Sequence, residues 1–159
     1  MARNSERLYV ARSGSSATNT TAVAMVAATA KTVVQVLGSA NDTIAPVRIR
    51  ISFDGVTATA VPALVEIGII TSAGTASSFT PVQVSGSPVA SSCTAGYNSS
   101  AEPTYNRVFD SFYVPAMMGH FTDWTPLGDE ALCAISQGIG VRITAPAVVN
   151  CLASILYSE

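Results

Sequence analysis

Apolar and polar residues alternate most regularly over 46–71. In PVRIRISF, Val47, Ile49, Ile51 and Phe53 fall on one face, and Arg48, Arg50 and Ser52 on the other. A strict period of two marks a strand half buried in a sheet. Asp54-Gly55 is a turn dipeptide, because glycine takes positive φ without a Cβ penalty and aspartate bonds back to nearby amides. Beyond it Val65, Ile67 and Ile69 share a face, opposite Leu64, Glu66, Gly68 and Ile70. The pattern predicts two strands joined as a hairpin, its apolar face in the core. In that register Glu66 lies across from Arg48 or Arg50, a cross-strand pair worth roughly 0.2–1 kcal/mol. The outer face of Arg48, Arg50, Glu66 and Gly68 is the expected place for a subunit contact.

The same period recurs elsewhere. TVVQVL at 32–37 is rich in β-branched residues and predicts a strand. FTPVQV at 79–84 predicts another, with Pro81 placing it at an edge or a strand start. RVFDSFYV at 107–114, GIGVRIT at 138–144 and AVVNCLASILY at 147–157 complete the strong strands, and 132–135 is a candidate short one. The apolar run at 21–28 is Ala-rich and fits a weak strand or a helix. Residues 38–45 and 72–78 read as loops, and 85–106, rich in Ser and Gly, as an extended connection. Eight to nine short strands separated by turn signals indicate an all-β, antiparallel barrel or sandwich.

Two segments stand apart. Residues 1–21 read as a flexible N-terminal arm preceding a single domain over 22–159, since SGSSATNTT at 13–21 is a polar linker by composition. Arg3, Arg7 and Arg12 put three of the eight basic residues there, around the apolar triplet Leu8-Tyr9-Val10. The triplet fits a short strand added to a sheet; the arm either frays, or orders on a neighbour with Leu8 and Tyr9 as anchors and the arginines meeting acidic patches. Residues 115–130 read as a loop of unusual apolar content, holding Met117, Met118, His120, Phe121 and Trp124. Such side chains form either a protein interface or a small satellite core.

Composition sharpens the question of state. The 159 residues are 48% hydrophobic and only 11% charged, with a mean hydropathy of +0.40, whereas soluble domains carry roughly 25% charged residues. A surface so poor in charge offers little repulsion against association, so a homo-oligomer or a subunit of a larger assembly is expected. Membrane insertion is not: the longest weakly polar run, 22–30, falls short of the roughly 20 residues a spanning helix needs. An aromatic content of 7% is low for an outer-membrane barrel with aromatic girdles. The net charge of −2 supplies no basic field for nucleic acid. The first ten residues lack the apolar core of a secretory signal. Cys93, Cys133 and Cys151 are odd in number and lack CxxC spacing, which favours reduced thiols formed in a cytosol. The three Asn-x-Ser/Thr matches read as chance in a Ser/Thr-rich chain.

Chemistry-bearing motifs are sparse. The single histidine, His120, has Asp123, Asp129, Glu130 and Cys133 near it in sequence, but no nucleophile elbow accompanies them. It is expected to pack or cap, with no catalytic residue, metal or cofactor in the chain. Gly138 and Gly140 lack the third glycine and helix of a phosphate loop, and predict strand positions that another group approaches closely.

Three stretches, ATAKTVVQVLG at 28–38, ISFDGVTATAVPALVEI at 51–67 and GIGVRITAPAVVNCLASILYSE at 138–159, resemble small virion proteins of tailed bacteriophages related to the capsid decoration, or cement, proteins. The similarity covers about half the chain and lies in patterned strands, not in catalytic signatures. It implies a β-barrel of jelly-roll type that assembles as a homotrimer, binds the major capsid protein on the virion surface and has no catalytic residues. Expected contacts are Arg3, Arg7, Leu8, Tyr9, Arg12, Arg48, Arg50, Glu66, Met117, Met118, Phe121 and Trp124. Two other readings are a tail or baseplate component, and a carbohydrate-binding sandwich stacking sugars on Tyr97, Tyr105, Tyr113 and Trp124.

Overall fold

The computed structural model describes residues 7–14, 21–85, 89–126 and 131–159. The fold is all-β, with no helix among the described residues and 62% in strands. The strands form two antiparallel sheets, neither of which closes on itself. Twelve strands are present among the described residues, more than the eight to nine expected. The first sheet contains β1 (Leu8–Arg12), β2 (Val23–Ala24), β4 (Ala45–Phe53), β7 (Val82–Ser85), β10 (His120–Trp124) and β12 (Asn150–Ser158). Its order is β10-β4-β12-β1-β7, with β2 also pairing with β12. The second sheet contains β3 (Ala30–Leu37), β5 (Ala63–Ser72), β6 (Thr75–Phe79), β8 (Thr94–Ala101), β9 (Thr104–Val114) and β11 (Gly138–Thr144), in the order β6-β8-β3-β11-β5-β9.

Alternation correctly selects the inward residues. Ile49, Ile51 and Phe53 from β4, with Cys151, Ala153, Ile155 and Tyr157 from β12, share one core with Val65, Ile67 and Ile69 of β5 and Ile139, Val141 and Ile143 of β11. Tyr9 and Tyr157 stack within it, their ring centroids 5.8 Å apart. Fully burying each Val, Ile or Leu side chain contributes about 1.5–3 kcal/mol.

The expected hairpin does not form. β4 pairs with β10 and β12 in the first sheet, whereas β5 pairs with β9 and β11 in the second. Residues 54–62 carry the chain from one layer to the other, a step of about 10 Å. Asp54-Gly55 does not turn the chain back on itself. The Asp54 carboxylate accepts bonds from the Asn150 backbone N–H at 2.8 Å and its Nδ2 at 2.7 Å, and the Gly55 carbonyl accepts one from Met118 N–H at 2.9 Å. The hydrogen bonds from Asn150 hold the Asp54 carboxyl below its usual range.

Segments read as irregular carry three of the added strands. β6 lies in 72–78 but for its last residue, Phe79, β8 inside 85–106 and β10 inside 115–130. All three are short of alternating aliphatic residues. β6 and β10 sit at sheet edges, where a single partner strand pairs one side of the backbone. Pro81 stands between β6 and β7, where the chain passes from an edge of one sheet to an edge of the other. Residues 132–135 form no strand: Cys133 makes a single bridge to Ile44. Residues 21–28 contain β2 and a turn at Ala28, with φ 56°, and no helix.

Residues 8–12, expected in a loose arm, form β1 between β12 and β7. The alternation of Leu8, Val10 and Arg12 against the buried Tyr9 and Ala11 is the physical reason: a strand with one apolar face gains by entering the sheet. Ser13 extends the pairing, since its N–H donates to the Ala153 carbonyl at 2.9 Å and its Oγ accepts from Ala153 N–H at 3.2 Å. Residues 1–6 and 15–20, including Arg3, lie outside the described residues.

Candidate functional site

The outer face of the first sheet brings cationic side chains together from strands far apart in sequence. Pairing places Thr122, Arg50, Ser154 and Arg12 in one row across β10, β4, β12 and β1. The next row is Trp124, Arg48, Leu156, Val10 and Val82, ending on β7. On the other side of the arginine row stand His120, Ser52 and Leu152. Between them runs a groove of about 350 Å³, lined by Val10, Arg12, Arg48, Arg50, His120 and Leu152, among others.

The arginines have little to neutralise them. Among the described residues the ion pair present joins Arg142 to Glu66, on the other sheet. The Nε atoms of Arg12 and Arg48 are shielded from solvent and meet no acceptor among the described residues. An unmade bond of that kind costs about 1–3 kcal/mol. Arg48 lies over the Trp124 ring, its guanidinium carbon 4.9 Å from the centroid. Burial, and then the positive charge of Arg50, lower the Arg48 pKa. His120 is exposed at the groove's rim, its Nε2 3.1 Å from Thr122 Oγ1. Asp129 and Glu130 lie outside the described residues. The basic face is wider than sequence spacing indicates, because Arg12 joins Arg48 and Arg50 only through strand pairing.

The outer face of the second sheet is internally satisfied. Glu66 lies across from Arg142, not from Arg48 or Arg50, and accepts bonds from its Nε at 2.9 Å and Nη2 at 3.0 Å. Glu66 thereby raises the Arg142 pKa. Arg142 also covers the Tyr105 ring, 4.7 Å from its centroid. The Tyr105 hydroxyl is 2.9 Å from Thr32 Oγ1, and Glu102 accepts from the Thr32 N–H at 2.8 Å as well as from the Thr32 Oγ1–H. Burial pushes the Tyr105 phenol up to about 12. Beneath the ring lie Gly68 and Gly140. A Cβ on Gly140 would stand 2.5 Å from the Tyr105 hydroxyl, and one on Gly68 2.7 Å from Cδ1 of the ring. Close approach, the sequence reading of the 138–140 glycines, is thus what Gly140 provides.

The other expected contact residues divide. Tyr9 is wholly buried in its own chain, and its hydroxyl donates to the Val89 carbonyl at 3.0 Å, so it cannot anchor on a neighbour. Leu8 is half-buried within β1, and Arg7 is exposed. Phe121 packs on Phe112, ring centroids 3.9 Å apart, and both lie against the main core, not in a separate satellite. Met117, Met118 and Trp124 remain exposed. Of the tyrosines considered for sugar stacking, Tyr105 is occupied by Arg142, Tyr97 is half-buried and Tyr113 is exposed.

All three cysteines are free and buried. Burial pushes Cys93 and Cys133 up to about 11 and Cys151 up to about 12. Thiols so held are neutral and poor nucleophiles. Compared with known proteins, the chain matches no family model, no curated protein and no solved structure.

Proposed function

We propose that this chain is a non-enzymatic structural subunit of a virion, a capsid decoration protein that oligomerises and stabilises the outer capsid surface. The observation that carries the reading is the number of large apolar side chains left at the surface of a charge-poor chain. Tyr113 is 66% exposed, Trp124 58%, Met118 78% and Phe109 41%. They lie on or beside the edge strands β9 and β10, and such side chains are enriched where proteins meet. Exposed apolar surface of this kind indicates a partner.

Strand order supports the finer fold assignment. Numbering β1, β3, β4, β5, β9, β10, β11 and β12 from one to eight, the sheets run 1-8-3-6 and 2-7-4-5. That nesting is the order of a jelly roll, an architecture that recurs in viral capsid and lectin domains. Fold does not fix function, so the order favours the reading without deciding it. The resemblance in the patterned strands selects the virion. In this reading the partners are two further copies of the chain and the major capsid protein, without nucleic acid or membrane. Multivalent attachment by a trimer then offsets weak single contacts.

Light scattering coupled to size exclusion is expected to give a trimer mass for the free protein. Purified particles are expected to carry the chain through washing, and particles lacking it to break at lower temperature. A monodisperse monomer, or particles that never contain the chain, would refute the proposal.

A further inference from the structure

We propose that the groove on the outer face of the first sheet is a carboxylate-binding surface that docks an extended acidic segment of a partner protein, with Arg12, Arg48 and Arg50 as its cationic contacts. The inference rests on the assembly reading in taking the occupant to be protein, and adds the chemistry by which that partner is recognised.

Charge complementarity is the first argument. The chain as a whole carries −2, yet three guanidinium groups share one face with no carboxylate paired to them among the described residues. Two of them hold a solvent-shielded Nε without an acceptor. A guanidinium presents its donors in a planar fork that suits a carboxylate, and the exposed Arg50 and half-buried Arg12 and Arg48 all line the groove that would receive one.

Spacing is the second. Arg48 and Arg50 are two residues apart on one strand, so their Cα atoms are separated by about 6.7 Å. Carboxylates at alternate positions of an extended peptide repeat at the same interval. Arg12 lies two strands away from Arg50 across Ser154, about 9–10 Å, and reaches a third carboxylate or the opposite flank. Val10 and Val82 continue the Arg48 row beyond the buried Leu156 and give the groove an apolar flank.

The same features disfavour nucleic acid. Binding a phosphate backbone calls for a longer basic track and free aromatic faces for the bases. Here Arg48 already occupies one face of Trp124.

Trp124 is the chain's single tryptophan and touches a proposed contact, so its fluorescence reports on the groove. Titrating the full chain with short poly-L-glutamate is expected to change that emission saturably, and added sodium chloride to weaken the effect. Arg12→Gln and Arg50→Gln should each weaken binding about threefold to tenfold. Arg107→Gln, on β9 of the other sheet, should leave it unchanged. No saturable change, or equal losses in all three variants, would overturn the proposal. Binding of heparin or oligodeoxythymidylate without poly-L-glutamate would overturn it in favour of a polyanion. A changed oligomer mass in Arg12→Gln or Arg50→Gln would identify the occupant as a second copy and overturn the separate partner. Light scattering on the unaltered chain tests the assembly reading separately, so either idea can fail without the other.

Discussion

Replacing Gly140 by alanine tests whether Tyr105 is held against the second sheet by the absence of a side chain beneath it. The new Cβ would stand 2.5 Å from the Tyr105 hydroxyl and 3.0 Å from Cζ, so the ring must lift. Lifting it removes the bond to Thr32 Oγ1, worth about 0.5–1.5 kcal/mol. It also removes the stacking of Arg142 on the ring, worth about 0.5–1 kcal/mol at an exposed site. Against this, alanine in a strand is favoured over glycine by roughly 0.5–1 kcal/mol through backbone entropy. With some apolar ring surface returned to water, the net loss is about 1–2 kcal/mol. If Tyr105 is first cut back to alanine, the obstacle is gone and Gly140→Ala should stabilise by roughly 0.5 kcal/mol. Ile70 Cγ2, 3.1 Å from the new Cβ, must shift slightly in both backgrounds and cancels from the cycle. Urea unfolding of the four proteins gives the coupling energy directly. Gly140→Ala with the same cost in both backgrounds would refute the account.

Three further outcomes follow from burial. Ile67→Asp places a carboxylate where the side chain is 1% exposed, so no folded protein should be recovered, as judged by circular dichroism of the soluble fraction. Ser13→Ala removes the acceptor for Ala153 N–H and should lower stability by about 1–2 kcal/mol in urea. Raising the pH should destabilise the protein above about 9. The three thiols start from 9.0 when unfolded and are raised by burial to about 11, 11 and 12. The unfolded chain therefore loses protons first. Their contribution is full below pH 9 and is lost as pH rises through the folded values, at up to about 1.4 kcal/mol per thiol per pH unit. Cys151→Ala should flatten the slope of urea midpoint against pH between 9 and 10.5, and an unchanged slope would exclude the thiol as its source.

What the sequence makes legible is which face of a strand is buried. Ile49 and Ile51, Ile67 and Ile69, and Ile139 and Val141 all point inward as their alternation requires. Alternation does not say against which sheet a strand lies, so Glu66 is assigned the wrong arginine and β4 and β5 a hairpin they do not form. β6 and β8 escape notice because TASSF and TAGYNSSA carry almost no aliphatic residues. Backbone pairing, not side-chain pattern, makes them strands. The arginine face was half visible in Arg48 and Arg50. Arg12 belongs to it because β1 and β4 flank β12, a relation between the two ends of the described chain that no local window contains.

The position of β12 governs what happens while the chain is being made. It is the strand to which β1, β2 and β4 all pair. Until residues 150–158 leave the ribosome, β1 has β7 and β4 has β10 as its partner, and a two-stranded ribbon is marginal in water. The nascent chain must therefore carry Ile49, Ile51 and Tyr9 unprotected until residues 150–158 emerge. Closure of the first sheet waits for residues 150–158, has distant segments to bring together, and is correspondingly slow. Products that stop before residue 150 keep those apolar strands exposed and are candidates for aggregation and proteolysis.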